Sequence, residues 1–183
     1  NEEVILAQAR LNICKKTFRA FDEIINSIID SERESIAEQM SKTFTEQLTN
    51  NPELYTGLDL DKEYKLLVKQ LAFDPLPAWK MEPSSGMSAM IAFAFIHSLN
   101  THSHTEAPIV IDTPTGRLDG IHKKKIITFW KNFGKQIFIL YQPDEMTSEH
   151  QNMTQSFVTK HFEAIRKPGA MDESLLKEWE GDE

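Results

Sequence analysis

Cysteine is nearly absent: the 183-residue chain has one, Cys14. No internal disulfide can form, which points to a reducing compartment and predicts a cytoplasmic protein. Cys14 lies in an apolar helical stripe, where a small core residue is expected rather than a nucleophile. Glycine (7) and proline (8) are scarce and clustered, leaving room for few linkers. No apolar run approaches the roughly 18 residues of a membrane span and no secretory leader pattern occurs, so no membrane partner is expected. Positive charge is in deficit. With 20 Lys and Arg against 28 Asp and Glu the formal net charge is -8, which excludes strong non-specific binding of nucleic-acid phosphates by this piece alone, though not DNA contact by a larger assembly. Finally, no G-x-x-x-x-G-K-[ST] phosphate cradle is present; Gly134-Lys135 lacks the earlier glycine. The chain opens at Asn1 rather than Met and is expected to be a piece of a longer polypeptide.

What is present is an ordinary globular composition, 40% apolar, enough for one domain with a core. Residues 1–50 hold no Pro and no Gly, and apolar residues recur at three- and four-residue steps: Leu11, Cys14, Phe18, Phe21, Ile25, Ile28, Ile36, Met40, Phe44. That period predicts one long helix, either the end of a coiled coil or part of a helix pair in a bundle. Asn50-Asn51-Pro52 stops it. Leu54–Leu60 has strand or turn character, and Tyr64–Leu71 reads as a strand with Leu66 and Val68 on one face. Asp74-Pro75-Leu76-Pro77 reads as a loop. Pro83-Ser84-Ser85-Gly86 is a tight turn opening a helix over Met87–Leu99, apolar almost all round and so expected to be buried. Asn100–Ala107 is polar loop.

Ile109-Val110-Ile111 is a short apolar strand, Ile121–Phe133 a helix and Gln136–Tyr141 a second apolar strand. That order predicts a right-handed βαβ crossover in a buried parallel sheet. Thr147–Ile165 is expected to be helical.

Three features carry chemistry. The strand ends in Asp112, and a carboxylate at the C-terminal end of a buried parallel strand sits where α/β proteins bind ligands, commonly Mg²⁺ beside nucleotide phosphates. The segment Thr113-Pro114-Thr115-Gly116-Arg117-Leu118-Asp119 follows, a polar β-to-α connection with Asp119 as a helix N-cap. Ser84-Ser85-Gly86 opens a helix whose free N–H groups and dipole suit an anion; Ser84 also reads as a plain N-cap.

In this order and spacing the chain resembles the C-terminal lobe of SMC/SbcC-type ABC ATPase heads, from about Leu54 to Lys167. Pro83-Ser84-Ser85-Gly86 is similar to the ABC signature turn, Ile109–Asp112 to Walker B, Arg117-Leu118-Asp119 to the D-loop, and Gln136–Gln142 to the strand that leads to the switch position. The run PIVIDTPTGRLDGIHKKKI is most similar to DndD, the coiled-coil ATPase family associated with DNA phosphorothioation, which also carries Asp-Thr-Pro in Walker B and Gly-Arg-Leu-Asp before a His.

The resemblance implies an α/β fold: half of a P-loop ABC ATPase head, a short mostly parallel sheet flanked by helices. Residues 1–50 would end a coiled coil, 51–168 form the lobe, and 169–183 make an acidic mobile tail. It implies ATP and Mg²⁺ as cofactors. Ser84, Ser85 and Gly86 would contact the γ-phosphate held by the opposite head, Asp112 would organise Mg²⁺, and Asp119 would report across the dimer interface. The partners would be an N-terminal lobe of the same protein, a second head in a homodimer, and DNA with its processing proteins indirectly.

The chain departs from the family at position 85 (Ser for Gly or Ala) and 87 (Met for Glu or Gln). Thr113 stands where the catalytic glutamate is usual and Gln142 at the switch histidine; neither trades protons near neutral pH. Two functions follow: an ATPase head serving DNA modification, repair or defence, or a non-hydrolysing dimerisation module. The isolated piece is expected to be inactive.

Other residues have bland readings. His102-Ser103-His104-Thr105-Glu106 is metal-like but reads as solvated loop. Lys123-Lys124-Lys125 reads as a solvated helical face, Met87 and Met90 as packing residues. His122 would face the dimer interface by resemblance, or be an ordinary first-turn residue.

Overall fold

The computed structural model describes residues 2–81, 83–103, 108–116, 118–133, 136–168 and 174–178, without the side chain of Trp79. With no Pro or Gly to interrupt it, the first segment forms one helix, α1 (Glu2–Thr43), closing in a π-helical turn at Phe44–Leu48. The two halves of α1 differ. Ala37, Met40, Thr43, Phe44 and Leu48 are buried, whereas Ile5, Phe18, Phe21, Ile25 and Ile28 are all more than half exposed. Cys14 is exposed as well, contrary to the core position expected for it, because no described residue packs over that stretch.

β1 (Tyr55–Leu60), β2 (Leu66–Gln70) and β3 (Phe73–Pro77) form an antiparallel sheet in that order. β3 occupies the segment expected as loop. Its two prolines are tolerated because β3 is an edge strand, bonded on one side only. α1 lies close on β1. Ser41 Oγ accepts the Leu58 N–H at 3.2 Å, and a Cβ at Gly57 would overlap that oxygen, so glycine is what permits the approach.

Ser84 caps α2 (Ser85–His102), its hydroxyl accepting the Met87 N–H at 3.2 Å. The helix runs on through Asn100–His102, expected as loop. Met87 and Met90 are core residues, but Ile96 and Leu99 face outward, so α2 is not buried all round. His102 bonds Ser35 Oγ at 2.8 Å and the Ser98 carbonyl at 2.9 Å, tying α2 to α1. His104, Thr105 and Glu106 lie outside the described residues, and no metal-holding group of His, Cys, Asp and Glu occurs among those described.

β4 (Ile109–Asp112) and β5 (Ile137–Leu140) pair in parallel around α3 (Gly120–Trp130), Ile109 opposite Ile137 and Asp112 opposite Leu140. Both strands are apolar except for the terminal Asp112, yet only one face is covered: Val110, Phe138 and Leu140 are 63, 48 and 53% exposed. The core gathers the end of α1, β1, β2, α2 and α3. Phe93, Phe129 and Phe133 interlock edge to face at centroid distances of 5.1 to 5.9 Å, each large buried side chain contributing about 1.5–3 kcal/mol.

The helix expected over Thr147–Ile165 divides. α4 is only Ser148–Thr154, started by a Thr147–His150 capping box. Beyond it Phe157, Val158, Thr159, Phe162 and Ile165 disfavour helix and favour strand. β6 (Phe162–Arg166) pairs antiparallel with β7 (Ser174–Glu178) along its whole length. β7 lies within the stretch expected as a mobile tail; residues 169–173 and 179–183 are outside the described residues.

Candidate functional site

The loop from β4 to α3 begins and ends on an aspartate. Asp112 is the last residue of β4, exposed, and no described residue donates a hydrogen bond to its carboxylate. Thr113 follows with φ 47°, a left-handed conformation that costs a β-branched residue on the order of 1–3 kcal/mol. Its N–H donates to the Leu140 carbonyl at 2.8 Å, so the strained residue sits on the last rung between β4 and β5. Pro114 and Thr115, which follow, are buried.

Asp119 closes the loop as N-cap of α3. One oxygen accepts the N–H groups of Ile121 and His122, each at 3.0 Å, and the other meets His122 Nδ1 at 2.5 Å. The His122 backbone N–H first, then its imidazole, holds the Asp119 carboxyl below the usual carboxylate range. The far nitrogen of the ring, Nε2, lies 2.8 Å from Asn50 Nδ2. With Nδ1 donating to the carboxylate and Nε2 accepting from the amide, the imidazole of His122 is satisfied at both ends. It therefore joins the Asp119 turn to the segment just after α1.

Gln142, two residues past β5, is exposed, and its N–H donates to Glu145 Oε2 at 3.3 Å. Glu145 is the residue sequence reasoning missed. Its carbonyl accepts from Lys123 Nζ at 3.1 Å and Thr115 Oγ1 at 3.4 Å. A Cβ at Gly116 would overlap Glu145 Oε1. Nothing local flags Glu145, because its neighbours come from a loop some thirty residues earlier. Of the lysine triplet, Lys124 is exposed as expected and pairs with Glu149 at the surface, at 2.7 Å, whereas the half-buried Lys125 is tied to the Thr49 carbonyl at 2.6 Å.

The expected residues thus fall into two groups. Asp112, Thr113 and Gln142 share the C-terminal ends of adjacent parallel strands. Ser84, Ser85 and Gly86 open α2 beside Leu118, the residue before Asp119; a Cβ at Gly86 would stand 3.5 Å from Leu118 Cδ2. Arg117 lies outside the described residues. A single exposed carboxylate fits a divalent cation held mainly by water and substrate phosphates, as Mg²⁺ commonly is, rather than one caged by protein.

The parallel β4–α3–β5 unit, the long leading helix and the loops at the strand ends define an α/β lobe. Solved SMC head domains have this fold. One, from work on ATP-driven dimerisation and DNA-stimulated activation of SMC ATPases, matches with TM-score 0.58 and 15% identity over 84% of this chain and 88% of that one. The Pyrococcus yayanosii SMC head with coiled coil and joint matches with TM-score 0.55 and 17% identity, over 90% of this chain and 32% of that one. The Pyrococcus furiosus SMC head, with an extended coiled coil and bound to the C-terminal domain of ScpA, gives 0.55 and 16%, over 88% and 40%. The chain thus has the fold of the C-terminal lobe of an SMC head and spans less than half of these two Pyrococcus heads. No protein-family model and no curated protein matches it. No helix among the described residues is long and apolar enough to cross a membrane.

Proposed function

We propose that the chain is the C-terminal part of a cytoplasmic coiled-coil ABC ATPase whose ATP-driven head dimerisation serves DNA modification, repair or defence, on a DndD-like branch. The observation that carries this is the loop at the end of β4: an open carboxylate at Asp112, a strained Thr113 and a capped turn at Asp119 on one parallel β–α–β unit. In this reading residues 1–50 end a coiled coil, residues 51–168 are the lobe and 169–183 a terminal extension. A lobe outside this chain supplies the phosphate cradle and covers the bare face of β4 and β5. Asp112 would hold Mg²⁺, which neutralises phosphate charge. Ser84, Ser85 and the Gly86 amide would meet the γ-phosphate on a second head, with Asp119 at the contact between heads and Gln142 beside the phosphate. DNA and its processing proteins are reached through the assembly.

Asp112→Ala in the complete protein tests this: ATP turnover should fall at least about a thousandfold, several kcal/mol of transition-state stabilisation. Unchanged turnover would refute the assignment. A second reading, a dimerisation module that does not hydrolyse, is favoured by Thr113, which offers no base where one is usual, and by Gln142, which cannot trade protons at the switch position.

A further inference from the structure

The geometry points to Glu145 as the carboxylate that takes the proton from the attacking water, in place of the acid missing at position 113. This rests on the nucleotide-hydrolysing reading. Ligands of parallel α/β sheets bind outside the C-terminal strand ends, and β4 and β5 release their chains there side by side, Thr113 N–H bonded to the Leu140 carbonyl. Glu145 spans those two exits. Its Oε2 accepts the Gln142 N–H on the β5 side, and its Oε1 lies against Gly116 on the β4 side, where any Cβ would displace it. Its main chain is pinned: the N–H bonds the Gln142 carbonyl at 2.9 Å, and the carbonyl takes the bonds from Lys123 and Thr115. A carboxylate so held is aimed, whereas a surface glutamate wanders. Thr113, whose backbone is bent into the left-handed region, leaves a hydroxyl in the usual position of the acid, and a hydroxyl cannot accept a proton near neutral pH.

The step balances. A water oxygen bonds the γ-phosphorus of a nucleoside triphosphate, the bond to the bridging oxygen breaks, nucleoside diphosphate leaves with that electron pair, and the water's proton passes to Glu145. Glu145 then returns it to solvent or to released phosphate.

The test is Glu145→Gln in the complete protein, which keeps size and acceptor geometry but removes the base. Turnover should fall about 100-fold or more, with nucleotide affinity and ATP-dependent head association retained. Glu145→Asp should recover part of the rate and Gly116→Ala should lose part of it. Full turnover in Glu145→Gln alongside a dead Asp112→Ala would overturn this role and leave the ATPase reading standing. Loss of nucleotide affinity together with turnover in both Glu145→Gln and Glu145→Asp would make Glu145 structural and overturn it too. No turnover by the unaltered complete protein would overturn both readings.

Discussion

The two aspartates of the β4–α3 loop are seven residues apart and have opposite surroundings. Asp119 spends its oxygens inside the chain, on two backbone N–H groups and an imidazole that leads on to Asn50. Asp112 meets no described donor and stands in the sheet's last residue pair, exposed to solvent. The same residue type is thus a structural fastener at one end of the loop and an open acceptor at the other. A buried-or-paired carboxylate stabilises what it holds; an open one beside a strained backbone is what a ligand site needs.

The largest break in this comparison is kinetic, the collapse of turnover in Asp112→Ala set beside near-normal thermal stability. With no partner to lose, that variant should stay within about 0.5 kcal/mol of the parent in denaturant melts. Asp119→Ala should cost about 1 kcal/mol, the usual loss for an N-cap, read as a lower urea midpoint. If the two variants melted alike, the contrast would fail. Asn50→Ala removes the far end of the His122 link and should cost about 0.5–1 kcal/mol, with thermal melts as the check.

Smallest is a pH effect. The folded-state carboxyl of Asp119 is held below its unfolded value. Its stabilisation is therefore fully present above the unfolded value, roughly pH 4, and is lost as pH falls through the lowered one. Asp119→Ala should flatten the acid side of the melting-temperature profile; an unchanged slope would count against the capping geometry.

Much of this was legible in the residues. Ser84 and Asp119 were readable as caps because a cap bonds residues two or three positions away. The apolar runs around Val110 and Phe138 announced parallel strands, and the acid after Ile111 marked the C-terminal end of the first. The errors have a common cause. β3 looked like loop because of its prolines, and only the edge position in the sheet makes them harmless. The segment after Thr154 looked helical until a second strand, β7, paired with it. Lys123 and Lys125 of α3 looked solvated until the carbonyls of Glu145 and Thr49 were brought to them.

Sequence alone, then, determined the long helix, the order of the parallel unit, its terminal acid and the two caps, since period and capping act over a few residues. Tertiary structure alone left Asp112 without a partner, turned His122 toward Asn50, and laid Glu145 against Gly116 between the exits of β4 and β5. Those contacts join loops dozens of residues apart, and their geometry depends on how the packed helices and sheet hold the loop ends, which no local pattern encodes.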